Sequence, residues 1–425
     1  MKDIEPEEMN RRLWLYDRII QVVRRYGFQL LEPTTIETLK TLEAKSGPAI
    51  RNEIYWFKDK SDRSLGLRFD LTVGLTRIVA SRSDLQEPIK YAAIGGNWRY
   101  DEPQYGRYRF FTQWDIEIFG SPSPLADAEV ISIGAEILRS VGLRDFIIKI
   151  SNRKLIEAYL SQVGIRRGDE LEQSLRIIDK IRKENRTQLE RELEAIKISK
   201  QTISDIFTFV SINGPPKTCL SRLKKIEIKD ERAKIAVGEL ESLADALDAF
   251  GLIANCIYDL SIVRGIGYYD GIVFEAFDKA ADVGAIFGGG RYDQLCKVYG
   301  KRDIPSTGAA GGIERLMISL EQANLFPPPV PVAKVFIATV KPDLKEHAIR
   351  LATQLRENAI ATIVDLKDRN LGKQIEYANA AKIPYLIVLG QRELETRVVK
   401  IKNMSTGNET ETTFDKLISN IKSLD

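Results

Sequence analysis

The sequence predicts an α+β domain built on an antiparallel sheet, interrupted by a helical insertion and followed by a C-terminal α/β domain. Three observations lead to this prediction. Two β-rich segments flank a loop containing Pro and Gly within residues 98–120, which is typical of a hairpin. Residues 160–248 are rich in Leu, Ile, Lys and Glu at helical spacing. Beyond a Pro-rich segment at residues 326–331, strand-like and helix-like stretches alternate.

The length of the chain indicates more than one domain. At 425 residues it exceeds what one hydrophobic core usually supports, and 44% hydrophobic with 29% charged residues is typical of a folded globular protein. We predict a first domain at residues 1–325 that is interrupted by the insertion at 160–248. A semi-rigid linker at 326–331 then leads to a second domain at 332–425.

Composition excludes several classes of protein. The sequence has no uncharged apolar run of about 18 residues, so a membrane span is excluded. The polar N-terminal segment lacks the apolar core of a signal peptide, and we expect a cytoplasmic location. A net charge of +3 neither requires nor excludes nucleic acid. Cys219, Cys256 and Cys296 lie far apart, which predicts reduced, buried thiols with neither a zinc site nor a disulfide frame.

The chain contains a single histidine, His347. Histidine-based triads and His-ligated metals are therefore excluded unless His347 supplies them. Its neighbours Lys345, Glu346 and Arg350 predict a surface position. Any catalysis must then depend on electrostatics, positioning and a bound cation.

In chain order, residues 7–26 predict an amphipathic helix, and residues 28–33 predict a strand that ends at a proline. Residues 54–57 and 65–70 predict a hairpin, after which the spacing becomes helical. Asp70 lies at this strand-to-helix turn, where it could cap the helix or bind a ligand. The sequence leaves both roles open.

The returning strand of the hairpin at residues 98–120 alternates between an apolar and a polar face. The polar face carries Arg107, Arg109, Phe111, Gln113, Asp115 and Glu117. One interpretation is a half-buried strand with a solvated face. The other is the floor of a polarised pocket, because guanidinium groups at its mouth suit anions and a carboxylate further in suits a cationic or N–H-bearing group.

After a predicted helix at 122–141 and a strand at 145–151, the insertion follows, and strands resume at 257–263 and 272–277. The segment RGIGYYDG at residues 264–271 joins these last two strands. It is not a dinucleotide-binding loop, because no helix follows its glycines.

Glycines in two segments predict backbone that lies close to a ligand, and a third glycine-rich segment leads into a helix. In RGIGYYDG the glycines flank an arginine and two tyrosines. For GGGRYD at residues 288–293 a flexible turn is an equal alternative. The segment GAAGGIER at residues 308–315 joins a strand to a helix and places Arg315 near the helix N-terminus, where anions are favoured.

The C-terminal region predicts a compact unit with a largely parallel sheet. Its predicted strands are residues 335–339, 361–364, 385–389 and 398–401, and its predicted helices are residues 344–355 and 371–381.

Residues 98–120 resemble motif 2 of the class II aminoacyl-tRNA synthetases, most closely the histidyl members of that family. The segments RGIGYYDG and GAAGGIER resemble later motifs of the same family, in the same order. The first helix and strand resemble motif 1, which implies a homodimer. The family also has a helical insertion at the corresponding place. The last domain resembles its anticodon-binding domain, including GKQ at residues 372–374 and NMSTG at residues 403–407.

The resemblance implies that ATP and Mg²⁺ bind in the first domain, with the Mg²⁺ held mainly by phosphates and by no identified protein side chain. Arg99 would bind the α-phosphate and the amino acid carboxylate. Arg107 would bind the β- and γ-phosphates, and Arg315 the far phosphate. Arg264 would add positive charge at the α-phosphate, so Arg99 and Arg264 are the expected catalytic residues.

The resemblance also implies histidine as the amino acid and tRNA(His) as the nucleic acid partner. Asp70, Thr72 and Gln113 would hold the α-ammonium group. Glu117 and Tyr269 would bind the two imidazole nitrogens, with Tyr268 as a secondary candidate. Whether the helical insertion contacts RNA stays open.

Three alternatives compete with this interpretation. A regulatory subunit of ATP phosphoribosyltransferase shares the catalytic fold, but the resemblance implies that it would lack the last domain and several ATP-binding arginines. A synthetase for another amino acid is the second alternative. A protein with merely solvated charge, the third, does not explain three ordered motifs. Asp101, Gly267 and Asp270 depart from the family pattern and bear on fine specificity.

Overall fold

The computed structural model describes residues 3–46, 48–100, 108–165, 168–181, 184–264 and 268–424. The chain forms two compact units, Met1–Phe326 and Pro327–Asp425. Among the described helices, none is long and apolar enough to traverse a lipid bilayer.

The strands of the first unit are β1 (Gln29–Leu30), β2 (Ile36–Thr38), β3 (Trp56–Lys58), β4 (Ser64–Leu67), β5 (Ile89–Trp98), β6 (Phe110–Phe119), β7 (Phe146–Asn152), β8 (Asn213–Gly214), β9 (Cys256–Asp259), β10 (Ile272–Asp278), β11 (Ala285–Arg291) and β12 (Ser306–Gly312). Its helices are α1 (Pro6–Arg25), α2 (Leu39–Ser46), α3 (Thr72–Ala80), α4 (Pro124–Ser140), α5 (Arg153–Gln162), α6 (Asp169–Ile178), α7 (Arg186–Ala195), α8 (Lys200–Val210), α9 (Pro216–Leu223), α10 (Glu231–Ala249), α11 (Leu295–Tyr299) and α12 (Ile313–Gln322).

A nine-stranded sheet with the order β1-β5-β6-β12-β11-β10-β7-β9-β8 organises this unit. Only the β1–β5 and β7–β9 pairs among these strands are parallel. The predicted antiparallel sheet is therefore confirmed. The hairpin predicted between residues 54 and 70 is also present, as β3 paired antiparallel with β4 in a separate three-stranded sheet.

The region of the predicted insertion is helical from α5 to α10, apart from the two-residue strand β8. This strand pairs with β9 of the large sheet, and α10 packs against α4 and α5. The insertion therefore shares a hydrophobic core with the sheet, and both belong to one compact unit.

The structure decides between two pairs of alternatives that the sequence left open. The glycine-rich residues 288–290 lie inside strand β11, where they are buried, and do not form a flexible turn. The polar face of β6 is not solvated either, because Asp115 and Glu117 are each only 1% exposed. In both cases the deciding factor is a neighbouring strand that is distant in sequence, and local patterns do not show such neighbours.

The second unit contains β13 (Val335–Thr339), α13 (Lys345–Glu357), β14 (Thr362–Val364), α14 (Leu371–Ala380), β15 (Tyr385–Leu389), α15 (Gln391–Thr396), β16 (Val398–Asn403), β17 (Glu409–Thr413) and α16 (Phe414–Ser423). Its five-stranded sheet has the order β14-β13-β15-β16-β17. The first three strands are parallel as predicted, whereas β16 and β17 are antiparallel. A short loop joins β16 to β17, and such a loop permits only an antiparallel pair. His347 is exposed on α13, as predicted.

Two residues of the C-terminal motifs have structural roles. The Gln374 side chain is 2% exposed, accepts a hydrogen bond from the Thr339 N–H and donates to the carbonyls of Thr339 and Arg369. The Asn403 carboxamide oxygen accepts hydrogen bonds from the backbone N–H groups of Ser405 and Thr406. Gln374 thus joins β13 to α14, and Asn403 shapes the turn between β16 and β17.

A buried ion pair joins three elements of the first unit. Arg291, at the end of β11, places Nη2 2.5 Å from Oδ2 of Asp127 on α4. The Thr307 hydroxyl of β12 donates to the other carboxylate oxygen of Asp127 at 2.7 Å. Burial raises the pKa of Asp127, and the charge of Arg291 opposes that rise. The side chains of Arg291 and Asp127 are 3% and 0% exposed.

We expect Asp127→Asn to lower the free energy of unfolding of the first unit by about 3 to 5 kcal/mol, because it removes the fully buried counter-charge of Arg291 and leaves the more exposed Asp293 carboxylate, 3.2 Å from Nη1, as its partner. Urea unfolding followed by tryptophan fluorescence measures this unit alone, since Trp14, Trp56, Trp98 and Trp114 all lie within it. As the control, Asp303→Asn breaks an exposed pair with Lys297 and should cost under about 1 kcal/mol. Equal costs for the two variants would contradict the prediction.

Candidate active site

Two adjoining cavities lie on one face of the large sheet. The outer cavity has a volume of about 250 Å³. The inner cavity has a volume of about 50 Å³ and lies closer to α3. The two cavities share the lining residues Arg99, Gln113, Arg264, Gly288 and Ala310. They therefore form one continuous site with two compartments.

Small residues on the two central strands make room for the cavities. Gly308 of β12 lies directly opposite Glu117 of β6, and Gly288 of β11 lies opposite Ala310 of β12. A Cβ atom on Gly308 would be 1.5 Å from a Glu117 carboxylate oxygen, and one on Gly288 would be 1.9 Å from Nη1 of Arg264. Only glycine leaves space for these charged groups, so the floor of the site is largely backbone.

Arg264 lies where the two cavities meet. Its backbone has a φ of 47°, a left-handed conformation that is uncommon for a residue with a side chain. Its Nη1 donates to the Phe274 carbonyl at 3.3 Å and is 3.6 Å from the Glu275 carboxylate. Burial acts to lower the pKa of Arg264, but Tyr269 and Glu275 raise it above the ordinary arginine value. The guanidinium group is therefore cationic at the centre of the site.

Arg99 and Arg315 provide two more guanidinium groups. Arg99 donates from Nε to the Phe69 carbonyl at 3.0 Å and lies over the Phe111 ring at 4.9 Å from its centroid. Arg315 is the third residue of α12 and donates to the Ala285 carbonyl at 2.9 Å. Both line the outer cavity. Arg107, the fourth predicted arginine, lies outside the described residues.

Asp70, Thr72 and Gln113 line the inner cavity together. One Asp70 oxygen accepts the Val73 N–H at 3.0 Å, so this carboxylate caps α3 and also lines the cavity. The Gln113 carboxamide oxygen accepts a 2.8 Å hydrogen bond from the Asn97 side chain, which fixes the orientation of the Gln113 side chain. Capping α3 therefore does not remove Asp70 from the cavity lining, where it stays accessible to a ligand.

Glu117 lies at the bottom of the inner cavity beside a second buried carboxylate. Asp115 is two residues earlier on the same face of β6, and one of its oxygens accepts the Thr72 hydroxyl at 3.1 Å. The Tyr292 hydroxyl donates to Glu117. Burial, followed by the neighbouring Asp115 charge, raises the pKa of Glu117 well above the ordinary glutamate value. A ligand that brings a cation or an N–H donor would relieve this electrostatic cost.

Tyrosine rings form a wall of the inner cavity. The Tyr268 hydroxyl donates to the Tyr269 hydroxyl at 3.1 Å, and their ring centroids are 4.4 Å apart. Tyr292 contacts Tyr268 edge-on at 5.8 Å between centroids. Burial raises the pKa of Tyr268, so its hydroxyl keeps its proton and can donate it in a hydrogen bond.

The structure brings together the described members of the predicted site. Arg99, Arg264 and Arg315 line the outer cavity, and Asp70, Thr72, Gln113, Glu117, Tyr268 and Tyr269 line the inner one. Sequence reasoning gave no role to Asp115, Phe111, Glu275, Asn97 or Tyr292. Strand alternation already placed Asp115 between Gln113 and Glu117, and so could have identified it. No local signal indicated Tyr292, whose partner Glu117 is 175 residues away.

The arrangement has a definite electrostatic direction. Guanidinium groups surround the outer cavity, which suits a polyanion, and carboxylates lie deep in the inner one, which suits a small cation or N–H donor. The described residues contain no cluster of three or more His, Cys, Asp or Glu side chains that could hold a metal ion. A small amphoteric molecule in the inner cavity would therefore present its anionic end to Arg99 and Arg264.

Comparison with known proteins gives a consistent family. A family model described as histidyl-tRNA synthetase matches residues 1–316, and one described as an anticodon-binding domain matches residues 334–424. The chain is 35% identical over 425 residues to a histidine–tRNA ligase of Pyrococcus horikoshii. That alignment covers 100% of this chain and 97% of the relative.

Solved structures have the same fold. A histidyl-tRNA synthetase from Nostoc sp. PCC 7120 superposes with a TM-score of 0.85 at 28% identity, covering 99% of this chain and 97% of that one. A Bacillus halodurans protein described as an ATP phosphoribosyltransferase regulatory subunit/histidyl-tRNA synthetase has a TM-score of 0.77 at 23% identity. The superposition covers 92% of this chain and 97% of that one, and at this identity the likeness concerns the fold alone.

We expect Glu117→Gln to change how the stability of the ligand-free protein depends on pH. Above the ordinary glutamate pKa, an unfolded chain has this carboxyl ionised, whereas the folded protein retains its proton because the pKa is raised. The folded state then binds more protons, so the free energy of unfolding falls as pH rises towards the raised pKa. Glutamine is neutral in the folded and the unfolded state, so the free energy of unfolding of the variant does not fall with pH through this residue.

The measurement is urea unfolding by tryptophan fluorescence at about pH 5 and about pH 8. Relative to the wild type, Glu117→Gln should gain stability at the higher pH. Glu321→Gln, which changes a carboxylate that is 69% exposed, serves as the control and should follow the wild type. Parallel pH profiles for the wild type and Glu117→Gln would overturn the expectation.

Proposed function

Because the chain belongs to the histidyl-tRNA synthetase family, we infer that it charges tRNA(His) with histidine through an aminoacyl-adenylate. The enzyme is an ATP-dependent ligase. ATP and histidine form histidyl-adenylate with release of diphosphate, and the histidyl group then passes to the 3′ end of the tRNA with release of AMP. The observation that best supports this reaction is the continuous two-compartment site, which has guanidinium groups outside and carboxylates inside.

We propose that Arg99 and Arg264 are the catalytic residues of the activation step. The histidine carboxylate attacks the α-phosphorus of ATP, and negative charge builds on the phosphoryl oxygens as diphosphate leaves. Fixed cations near those oxygens lower the barrier, and no nucleophilic side chain is needed. Both arginines line both compartments, so each can contact the carboxylate and the α-phosphate together.

The outer cavity would hold the remainder of ATP. Arg315 would bind its far phosphate, and Arg107 is proposed to bind the β- and γ-phosphates from outside the described residues. The Phe111 ring lines the same cavity and offers an apolar face to the base. Mg²⁺ would be held mainly by phosphate oxygens, and the Glu275 carboxylate in this lining is a suitable oxygen donor.

The inner cavity would hold histidine. The Asp70 carboxylate, the Thr72 hydroxyl and the Gln113 carboxamide surround the place for the α-ammonium group. Glu117 would accept from one imidazole N–H, and Tyr269 would meet the second nitrogen, with Tyr268 supporting its hydroxyl through the 3.1 Å hydrogen bond. An amino acid without both ring nitrogens would leave these buried groups unpaired, which is the physical basis of rejection.

The second unit is proposed to bind the tRNA, because residues 334–424 match an anticodon-binding domain. A cytoplasmic location is proposed as well. It is supported by three buried free cysteines, Cys219, Cys256 and Cys296, which suit a reducing compartment.

We expect ATP–diphosphate exchange with histidine and with none of the other nineteen common amino acids. Arg264→Ala should lower the exchange rate by about 10² to 10³, because a fixed cation is lost where charge develops. Arg82→Ala provides the matched control, since Arg82 pairs with Asp84 at 2.5 Å outside both cavities. This control should retain the wild-type rate.

Each other outcome of the exchange assay has a clear meaning. Exchange with a different amino acid would overturn the roles given to Glu117 and Tyr269. Exchange with no amino acid would overturn the reaction and favour a regulatory relative, which would bind histidine without activating it.

We also propose that the enzyme is a homodimer whose contact includes the edge of the large sheet. Strand β1 is the terminal strand there and exposes Leu30. Strands β2 and β3 of the three-stranded sheet expose Ile36, Trp56 and Phe57, with 45%, 46% and 41% of their surface accessible. An edge strand and exposed apolar side chains are both features that another copy can cover.

Sedimentation velocity should therefore give twice the 48.1 kDa chain mass. Trp56→Glu should shift the protein towards the monomer, because it places a charge in the apolar contact. Ile235→Glu changes a side chain that is 55% exposed on α10 and should leave the dimer intact. A monomeric wild type would contradict the proposal.

A further inference from the structure

We propose that Arg12 of α1 is a positioning residue for the outer cavity. It acts through Glu314 on the next residue, Arg315, and sets the position of Arg315 relative to Gln113 on β6. The inference rests on the proposed function, because it assumes that ATP occupies the outer cavity. Arg12 itself is not among the residues that line that cavity.

Arg12 is a buried cation with three side-chain partners on different elements. It is 2% exposed, and its Nη1 lies 2.9 Å from the Glu314 carboxylate and 3.2 Å from the Thr112 hydroxyl. Its Nε and Nη2 both donate to Glu8, one turn earlier on α1, at 3.2 and 2.8 Å. Burial acts to lower the pKa of Arg12, but Glu8 and Glu314 raise it, so the side chain is cationic.

Glu314 connects this cation to the site. Both of its carboxylate oxygens accept the backbone N–H of Thr112, each at 3.1 Å. Glu314 also lines the outer cavity and is 9% exposed. One carboxylate therefore joins strand β6 to the start of α12.

Thr112 and Glu314 each precede a residue of the active site in sequence. Thr112 precedes Gln113, which lines both cavities, and Glu314 precedes Arg315, which lines the outer one. Gln113 is also paired with Gly312, the last residue of β12 before α12 begins. A shift of Glu314 would therefore move the arginine and the carboxamide relative to each other.

The geometry requires an arginine at position 12. A planar guanidinium group directs Nη1 at Glu314 and Thr112 and directs Nε and Nη2 at Glu8. The ammonium group of lysine is a single point charge and reaches these partners less well. Lysine would keep the charge but lose the fixed geometry, so a substitution by lysine separates positioning from charge.

The test is steady-state ATP–diphosphate exchange with Arg12→Met, Arg12→Lys and Glu314→Gln. We expect each variant to raise KM for ATP by about tenfold, because Arg315 and Glu314 face only the outer cavity. KM for histidine should change by less than about threefold, because the strands on both sides of β6 and the 2.8 Å hydrogen bond from Asn97 hold Gln113 independently of Glu314. A purely structural role would lower the amount of active enzyme and kcat without separating the two KM values.

A double-mutant cycle and a neighbouring residue make the test specific. If Arg12 acts through Glu314, Arg12→Met combined with Glu314→Gln should raise KM for ATP no more than the stronger single variant. Arg11→Met is the matched control on α1, since Arg11 makes exposed ion pairs with Glu7 and Glu321, and its KM values should equal those of the wild type.

The possible failures are distinguishable. Equal changes in both KM values, additive effects in the cycle, or the same effect from Arg11→Met would overturn the positioning role. Should Arg12→Met not fold, Arg12→Lys and Glu314→Gln decide the question by the same separation of KM values. Absence of exchange in the wild type would instead overturn the proposed function, and ATP affinity measured by calorimetry would then compare wild type and Arg12→Lys. Equal ATP affinities in those two proteins would overturn the positioning role as well.

Discussion

The register between β6 and β12 is the constraint on which the site depends. It places Gly308 opposite Glu117 and Ala310 opposite Asp115, so two carboxylates on one strand face backbone and a methyl group on the next. A shift of one residue would turn every side chain of β6 to the other face of the sheet. The carboxylates would then enter the hydrophobic core, and Trp114 and Ile116 would enter the cavities. The buried ion pair of Asp127 and Arg291, with the hydrogen bond from Thr307, joins α4, β11 and β12.

Opposite charges at the two ends of the site favour one orientation of a bound ligand. Glu117 and Asp115 are buried together at the bottom, and burial together with the Asp115 charge makes ionisation of Glu117 costly in the absence of a ligand. Arg99, Arg264 and Arg315 surround the outer cavity. Under the proposed roles, a zwitterionic amino acid would relieve both ends only with its carboxylate facing the arginines, and this orientation would also direct the carboxylate towards an α-phosphate. Binding and alignment therefore share one cause.

Much of the architecture could be predicted from local patterns. The alternation on β6, the helical spacing of residues 160–248 and the Pro-rich segment at residues 326–331 are properties of contiguous sequence. The candidate residues that the structure describes all line the two cavities. They could be identified in advance because the resemblance depends on short segments of contiguous sequence. Sequence reasoning failed where partners are remote. Asp115 and Glu117 lie opposite Ala310 and Gly308 of β12, and the contact of Tyr292 with Glu117 spans 175 residues.

The same limit explains two places where the structure departs from local preference. Residues 288–290 contain three consecutive glycines, which are typical of turns, yet β10 and β12 hydrogen-bond to them on both sides. Strands β16 and β17 are antiparallel because of the short loop between them, whereas the preceding alternation of strands and helices favours parallel pairing. In both cases tertiary pairing overrode the preference of the segment itself.

The glycine floor has a consequence for how this site can change. Space above β11 and β12 exists because Gly288 and Gly308 lack side chains, and any other residue there would meet Arg264 or Glu117 at less than 2 Å. Substitution of either glycine can therefore only reduce the volume of the cavities. A broader range of ligands has to arise on the opposite walls, from the tyrosines and the side chains of β6. The two glycines of the sheet thus limit how closely a ligand can approach its backbone. Changes in ligand preference have to come from side chains in the other walls of the cavities.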